Sequence, residues 1–438
     1  MRDELGSLPS LRQRLRQLGE TRLAPASTAV QTPPPSQVGA AVATALERLA
    51  ARLEAEVVAV RGGPVHLVAR HSYPLEHRHG DHALLESLRL RPETLSLLSR
   101  QSPVSELTAE DALFFDVETT GLAGGTGTLV FLVGIGRFRD GLLEVVQLFL
   151  PGPSDELALL AAVRAELESR PAYLVTYNGR CFDAPLVQTR FLLHHQRLPL
   201  ETWPHVDLLY PARSLYRARL PDCCLSTVES LVLQVRRSQE DVPGELIPGI
   251  YFDYLRTGSV EPLARVFYHN LHDILSLAVL SGVVSAAIEG APGGHPLDCL
   301  GAGRMLEAAG RASEAGEAYR RAAAGVRGYH REEALWRLGL LHKRYGRHAE
   351  AEQVWRGLVS GGAELQALPH IELAKHLEHR RRDCREAADV VRLALALPAA
   401  RHPALRAELQ HRLSRLERKL AASAAAEARA GGDYAAGT

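Results

Sequence analysis

The segment Leu113-Phe114-Phe115-Asp116-Val117-Glu118-Thr119-Thr120-Gly121-Leu122 constrains this chain more than any other stretch. A short apolar run that stops at a glycine reads as a buried strand. Strand side chains alternate faces, so Asp116 and Glu118 point the same way while Val117 enters the core. Two carboxylates side by side on a buried strand repel one another unless a cation sits between them. Hard oxygen ligands of this kind suit magnesium or manganese. The bland alternative is a strand end whose acids meet water, and the fragment alone leaves both open.

The surrounding chain says what kind of fold holds this strand. Residues 112–150 carry three apolar runs, 112–117, 129–138 and 143–150, and Arg139-Asp140-Gly141 between the last two is a hairpin signal. Three consecutive antiparallel strands are expected. The run Gly124-Gly125-Thr126-Gly127-Thr128 lacks the Gly-Lys-Ser/Thr ending of a phosphate-binding loop and leads into a strand, so its glycines are read as letting backbone pass close to the acids. Ser154 is expected to cap a helix running to about Ser169. A strand over Ala172–Thr176 ends at Tyr177-Asn178-Gly179-Arg180-Cys181-Phe182-Asp183, where the next helix starts and continues through Leu193. His205 to Leu209 reads as a further strand or helix entry, and Leu225 to about Ile288 as mostly helical. Strands alternating with helices describe an α/β fold with its reactive edge at the strand ends.

At 438 residues the chain is long enough for two or three domains. Residues 1–40, rich in Pro, Ser and Thr, read as a flexible segment, and residues 41–108 as a small α+β region with a helix over Ala40–Ala55 and a hairpin around Gly62-Gly63-Pro64. The α/β domain spans residues 109–290. A Pro/Gly break at 291–296 precedes a repeat: Gly310-Arg311-Ala312-Ser313-Glu314-Ala315 recurs as Gly346-Arg347-His348-Ala349-Glu350-Ala351, with Arg385-Glu386-Ala387 in phase. A period in the mid-thirties with small residues at helix crossings is a tetratricopeptide-like signature, so helical hairpins offering a protein partner a concave face are expected over 297–420. The Ala/Gly-rich residues 421–438 are expected to be disordered.

His77-Arg78-His79-Gly80-Asp81-His82 has neither i,i+4 spacing nor a geometry-fixing motif, and a structural role is favoured over a metal site. Five cysteines, 181, 223, 224, 299 and 384, show no CxxC spacing and point to a reducing, cytoplasmic setting. No long uncharged apolar run suggests a membrane span, and the first residues lack a signal-peptide core. The zero formal charge conceals a net basic stretch over residues 301–438 and a net acidic one before it.

Four carboxylates thus stand at element ends: Asp116, Glu118, Asp183 and, within the late helix, Asp273. Their setting resembles the DEDD exonucleases of the ribonuclease H-like fold. Asp116-Val117-Glu118 matches that group's Asp-x-Glu motif, and Asn178 to Phe182-Asp183 its Asn-x-x-x-Phe-Asp motif. The third motif, a Tyr or His shortly before an Asp, is represented by His269, four residues ahead of Asp273, with Tyr268 one earlier. That combination departs from both standard forms of the motif. Asp-x-Glu-Thr-Thr-Gly-Leu followed by Ala-Gly-Gly-Thr-Gly-Thr, together with Asp241-Val242-Pro243-Gly244 and the Tyr251–Gly258 run, is similar to the YprB-type ribonuclease H-like proteins, which carry a tetratricopeptide-like C-terminus.

The resemblance implies an α/β ribonuclease H-like domain (a mixed sheet with its first three strands antiparallel, flanked by helices) joined to an all-α repeat domain. It also implies a 3′–5′ exonuclease acting on DNA or RNA, with single-stranded 3′ ends favoured. Two divalent ions, Mg²⁺ or Mn²⁺, would be held by Asp116 as the bridge, Glu118 and Asp273 on the nucleophile side and Asp183 on the leaving-group side. On a helix His269 shares a face with Asp273 and Tyr268 is turned away, which makes His269 the expected base. Thr119, Thr120, Leu122, Asn178 and Phe182 are the candidate nucleic-acid contacts, with Phe182 also readable as core, Asn178 as a turn cap and Asp207 as either a fifth acid or a cap. A non-catalytic nucleic-acid-binding module and a structure-selective endonuclease are the alternatives.

Overall fold

The computed structural model describes residues 35–59, 63–99, 107–121, 125–168, 173–361 and 367–435. Leu122, Gly124 and most of the expected flexible N-terminal segment lie outside the described residues. Helix α1 (Pro35–Leu53) precedes strands β1 (Glu56–Ala59) and β2 (Val65–Pro74), the short hairpin β3 (Arg78–His79) and β4 (His82–Ala83), and helix α2 (Pro92–Ser99). Strands β5 (Ala112–Thr119), β6 (Val130–Arg139) and β7 (Leu142–Phe149) lead through α3 (Glu156–Leu167) to β8 (Tyr173–Thr176) and α4 (Asp183–Leu193). Then come β9 (His205–Asp207), α5 (Leu209–Tyr216), the single turn α6 (Leu225–Val228), α7 (Ile247–Thr257) and the long α8 (Glu261–Glu289).

One mixed sheet of seven strands, ordered β1-β2-β7-β6-β5-β8-β9, organises this half. Strands β5 to β7 form the expected antiparallel meander, while β8 and β9 add in parallel beyond β5. The β1–β2 hairpin, expected in a separate small region, instead extends the same sheet through β7. An unpaired edge at β7 would leave a row of backbone donors and acceptors bare, and β2 covers it. Ser154 is not a helix cap: a 3₁₀ turn over Pro153–Asp155 comes first, and the helix opens at Glu156.

The alternation in β5 sorts its side chains between two cores. Leu113, Phe115 and Val117 enter one apolar cluster and Phe114 the other, which leaves Asp116 and Glu118 on the Phe114 face. Helix α8 lies across β5 and β6 on that face. Its apolar stretch is long enough to cross a membrane by composition, yet 67% of that window is buried inside the fold, as in a core helix. Close approach is possible because β6 carries Gly134 and Gly136 under it. A Cβ on Gly134 would stand 2.4 Å from Asn270 Oδ1, and one on Gly136 2.6 Å from Ile274 Cγ2.

Beyond the 291–296 break the chain is all helical: α9 (Pro296–Ala308), α10 (Ala312–Gly325), α11 (Tyr329–Arg344), α12 (His348–Ser360), α13 (Leu368–His376), α14 (Cys384–Ala396) and α15 (Pro403–Ala435). Each packs on its predecessor. The in-phase Ala315, Ala351 and Ala387 are all fully buried. Helix α15 continues well past Ala421, where disorder was expected; alanine is the strongest helix former, which accounts for the continuation. The break does not separate two cores. Residues of α9, α10 and α11 belong to the same apolar cluster as Phe114 and α8. Gly301 of α9 sits so close to α5 that a Cβ would lie 2.2 Å from the Ser214 carbonyl oxygen, and Arg219 clasps Asp298 at 2.7 and 2.9 Å.

Candidate active site

The open end of β5 is where the acids meet. Parallel pairing with β8 stops at Phe114↔Val175, whereas β6 accompanies β5 as far as Thr119, with a bulge between Glu118 and Thr119. Bulges of this kind re-aim side chains beside active sites. The freed Val117 N–H donates to Asp183 Oδ1 at 3.2 Å, so the first residue of α4 is tied to the strand bearing Asp116 and Glu118. Gly179 allows this approach: a Cβ there would be 2.8 Å from Asp183 Oδ2 and 2.6 Å from Thr176 Cβ.

Helix α8 brings the remaining groups. Asp273 is buried and faces the same space. Asn270, one turn earlier, donates to Asp116 Oδ2 at 2.8 Å and accepts at its own Oδ1 from Gln147 Nε2, also at 2.8 Å. Gln147 is fully buried and binds the Phe267 carbonyl as well, so it anchors the helix to β7. His269 Nδ1 is 2.8 Å from Asp241 Oδ1, and its Nε2 is 3.5 Å from Asp273 Oδ2. Nδ1 is the ring nitrogen held by Asp241, with Arg237 Nη1 also 3.2 Å away, and Nε2 is the one that faces the acids. Tyr268 is on another face, its hydroxyl accepting from Ser238 N and its ring against His272.

Two residues do what the sequence reading did not foresee. Arg237 binds Glu229 (2.9 Å from Nε and 2.5 Å from Nη2), contacts Asp273 and reaches Asp241 at 3.5 Å. Asp241 orients His269. Asp241 was visible inside the Asp-Val-Pro-Gly run, but nothing in the sequence singles out Arg237 in a chain where nearly every basic residue is arginine. Behind them Ser276 Oγ donates to Glu229 at 2.5 Å and lies 2.7 Å from His79 Nε2. His79 is thus a core histidine. His82 pairs with Glu86, and His77 packs on Tyr73, so the three histidines go to three different partners.

The other candidates are dispersed around the loop. Asp207 accepts from the backbone N–H groups of Asn178 (2.8 Å), Arg180 (3.1 Å) and Leu209 (3.1 Å), the geometry of a cap. Asn178 holds a left-handed φ of 66°, which asparagine tolerates, and is exposed. Phe182 is half-buried, short of the core position also considered for it. Thr119 is buried with its hydroxyl on the Gly121 carbonyl, and the Thr120 hydroxyl accepts from Leu129 N; both brace the turn after β5. Arg190 of α4 binds the Thr126 carbonyl at 2.8 Å, tying that helix to the segment that leads into β6.

Electrostatics sets this cluster apart. Asp116 is held well above the ordinary carboxylate range, chiefly by desolvation and then by Asp273, Glu118 and Asp183. Glu118 is raised for the same reasons, with Asp273 and Asp183 its main repulsive neighbours. Burial pushes Asp183 up to about 7. None of these three forms an ion pair among the described residues, since Arg237 is committed to Glu229 and Asp273. Unpaired, mutually repelling oxygens at low exposure are the donor set a divalent cation relieves. Glu118, His269 and Asp273 offer ligand atoms all within 4.8 Å of one another, so one metal ion fits the residues present.

Comparison with known proteins agrees with this chemistry. Residues 113–284 match the model of the RNase H superfamily. The chain is also 34% identical to the protein YprB of Bacillus subtilis (strain 168) over 364 residues, 81% of this chain and 86% of the relative. Residues 113–284 thus form a domain of the ribonuclease H superfamily, and the chain belongs to the family that includes YprB.

Proposed function

We propose that the protein is a metal-dependent 3′–5′ exonuclease that hydrolyses phosphodiester bonds of DNA or RNA. The observation carrying this reading is the convergence of Asp116, Glu118, Asp183 and Asp273 with His269 at one strand end, three of the acids unpaired. Two divalent ions, Mg²⁺ or Mn²⁺, would supply neutralisation of the phosphate oxygens and activation of water. Glu118 and Asp273, whose ligand atoms lie within 4.8 Å of one another, would hold one ion, and Asp116 and Asp183 have the remaining unpaired oxygens for a second. Asn270 fixes the rotamer of Asp116, and the Val117 N–H fixes that of Asp183. His269 presents Nε2 beside Asp273, where it can accept a proton from an attacking water, while Asp241 holds the imidazolium that results. The helical hairpins beyond residue 296 are read as tetratricopeptide-like repeats that engage a protein partner, in a cytoplasmic setting.

The test is degradation of end-labelled single- and double-stranded DNA and RNA in magnesium and in manganese, beside Asp116→Ala and a circular substrate. Stepwise loss from the 3′ end, absent in Asp116→Ala and on the circle, is expected. Full activity in Asp116→Ala would sink the four-carboxylate assignment, and cleavage of the circle would assign an endonuclease instead.

A further inference from the structure

A groove of about 860 Å³ opens between α5 of the sheet domain and α9 of the helical region, with Ser96 and Leu97 of α2 at its edge. Arg213 and Arg217 line one wall and Arg304 the other, and no acid contributes to the lining. Arg304 is held by Glu333 at 2.6 Å. Arg213 and Arg217 are exposed and have no acidic partner among the described residues. An uncompensated cationic wall is a charge-complementary surface for a polyanion. A second cavity, of about 330 Å³, lies among α11 to α15 and is also rich in cations. There Lys343 and Lys375 share Glu372, His376 pairs with Glu352, and Arg412 and Arg415 share Glu378, so most of its cations already have an acidic partner.

Through Tyr210, the helix that lines the groove also touches the loop preceding Asp183. Tyr210, Arg213 and Arg217 recur at i, i+3 and i+7, which places them on one face of α5 and its extension. The Tyr210 hydroxyl is 3.5 Å from Cys181 Sγ, and Cys181 stands between Asn178 and Asp183 in the loop that ends at the site. From Tyr210 the stripe runs about 10 Å along the helix to Arg217. Its walls are rigid, because Gly301 locks α9 onto α5 and Arg219 clasps Asp298. An aromatic ring followed by arginines along a groove is the chemistry that tracks a single strand, the ring stacking a base and the guanidinium groups taking phosphates.

We infer that this groove binds the single-stranded nucleic acid upstream of the scissile bond, with Tyr210 receiving a base next to the site and Arg213 and Arg217 receiving successive phosphates. The inference rests on the exonuclease reading for the strand's polarity, but the binding it asserts is measurable without turnover. Fluorescence anisotropy in calcium, on the Asp116→Asn protein, compares labelled single strands of about 4 and about 20 nucleotides. The longer strand is expected to bind more tightly. Arg213→Glu with Arg217→Glu should erase that advantage, weakening the longer strand at least about tenfold and lowering its log K against log salt slope by roughly 1.4. Arg213→Gln with Arg217→Gln, which avoids reversed charge, should give a smaller loss in the same direction. Equal affinity for both lengths in the parent, an unchanged slope in both double variants, or equal weakening of both strands overturns the groove assignment. So does competition by poly-glutamate as effective as that by unlabelled strand, which would assign an acidic protein segment instead. Length- and arginine-dependent binding in a protein that degrades nothing would leave the groove standing and remove the exonuclease reading.

Discussion

Buried and half-buried acids occur in two settings in this molecule, and their contrast separates architecture from chemistry. Glu156, 4% exposed, is bound by Arg190 at 2.5 and 2.7 Å and by His194 at 2.7 Å, and its carboxyl is held below the usual range despite burial. Glu378 in the helical region, 4% exposed, is likewise surrounded by Arg415, Lys419 and Arg412 and lowered. At the end of β5 the opposite holds: Asp116, Glu118 and Asp183 are raised, and no basic side chain pairs with them among the described residues. A carboxylate given its cation by the fold stabilises that fold. One denied it keeps a standing demand for positive charge, at the expense of stability.

Substitution should therefore act with opposite sign in the two settings. Asp116→Asn is expected to lower hydrolysis by at least the ~10²–10³ that loss of one electrostatic group costs. The metal-free protein should nonetheless melt higher, by about 2–4 °C per kcal/mol of repulsion relieved. Paired activity and calorimetry measurements check this, and a lower melting temperature would break the contrast. Glu156→Gln is expected to destabilise by about 3–5 kcal/mol in denaturant titration, because it leaves Arg190 buried without its anion. Its affinity for manganese should not change.

Asp241→Asn tests positioning rather than ligation. Removing the carboxylate that orients His269 should slow turnover by about 10–100-fold. The melting temperature should stay near that of the parent, since the pair is partly solvated. The smallest effect sharpens the comparison through pH. The folded Asp183 carboxyl titrates near 7 and the unfolded one near the ordinary 3.8, so the folded state binds more protons between those values. Stability of the metal-free protein should fall as pH rises from about 4 to about 7, and the cost should be fully present above that. Manganese, which binds the deprotonated acids, should raise the melting temperature most at the upper end of the window. A metal-free melting temperature that climbs across it would count against the raised value.

Much of the site was legible because its acids sit at element ends marked by local pattern. Asp116 and Glu118 follow from the period of β5, Asp183 from the strand-to-helix switch at Asn178, and Asp273 from helical spacing to His269. What escaped was set by contacts across the chain. Arg237 reaches Asp273 from 36 residues away, and Gln147 reaches Asn270 from 123. The β1–β2 hairpin read correctly as a hairpin, but which edge it pairs with depends on the exposed side of β7, a tertiary matter. The chain break at 291–296 is likewise a break in secondary structure only, since apolar side chains on both sides pack into one cluster.

Gly134 shows how distance can be set by a missing atom. It lies opposite Asp116 in the β5–β6 ladder, and the Asn270 amide occupies the space its side chain would need. The gap between Asp116 on the sheet and Asp273 on the helix is therefore calibrated at a position that carries no chemistry of its own. A single methyl there would act as a spacer, pushing the Asn270 amide and its helix away from the strand and loosening the hydrogen bond that holds Asp116. The span between the acids and the anchoring of Asp116 would then change together, through a residue that touches no substrate.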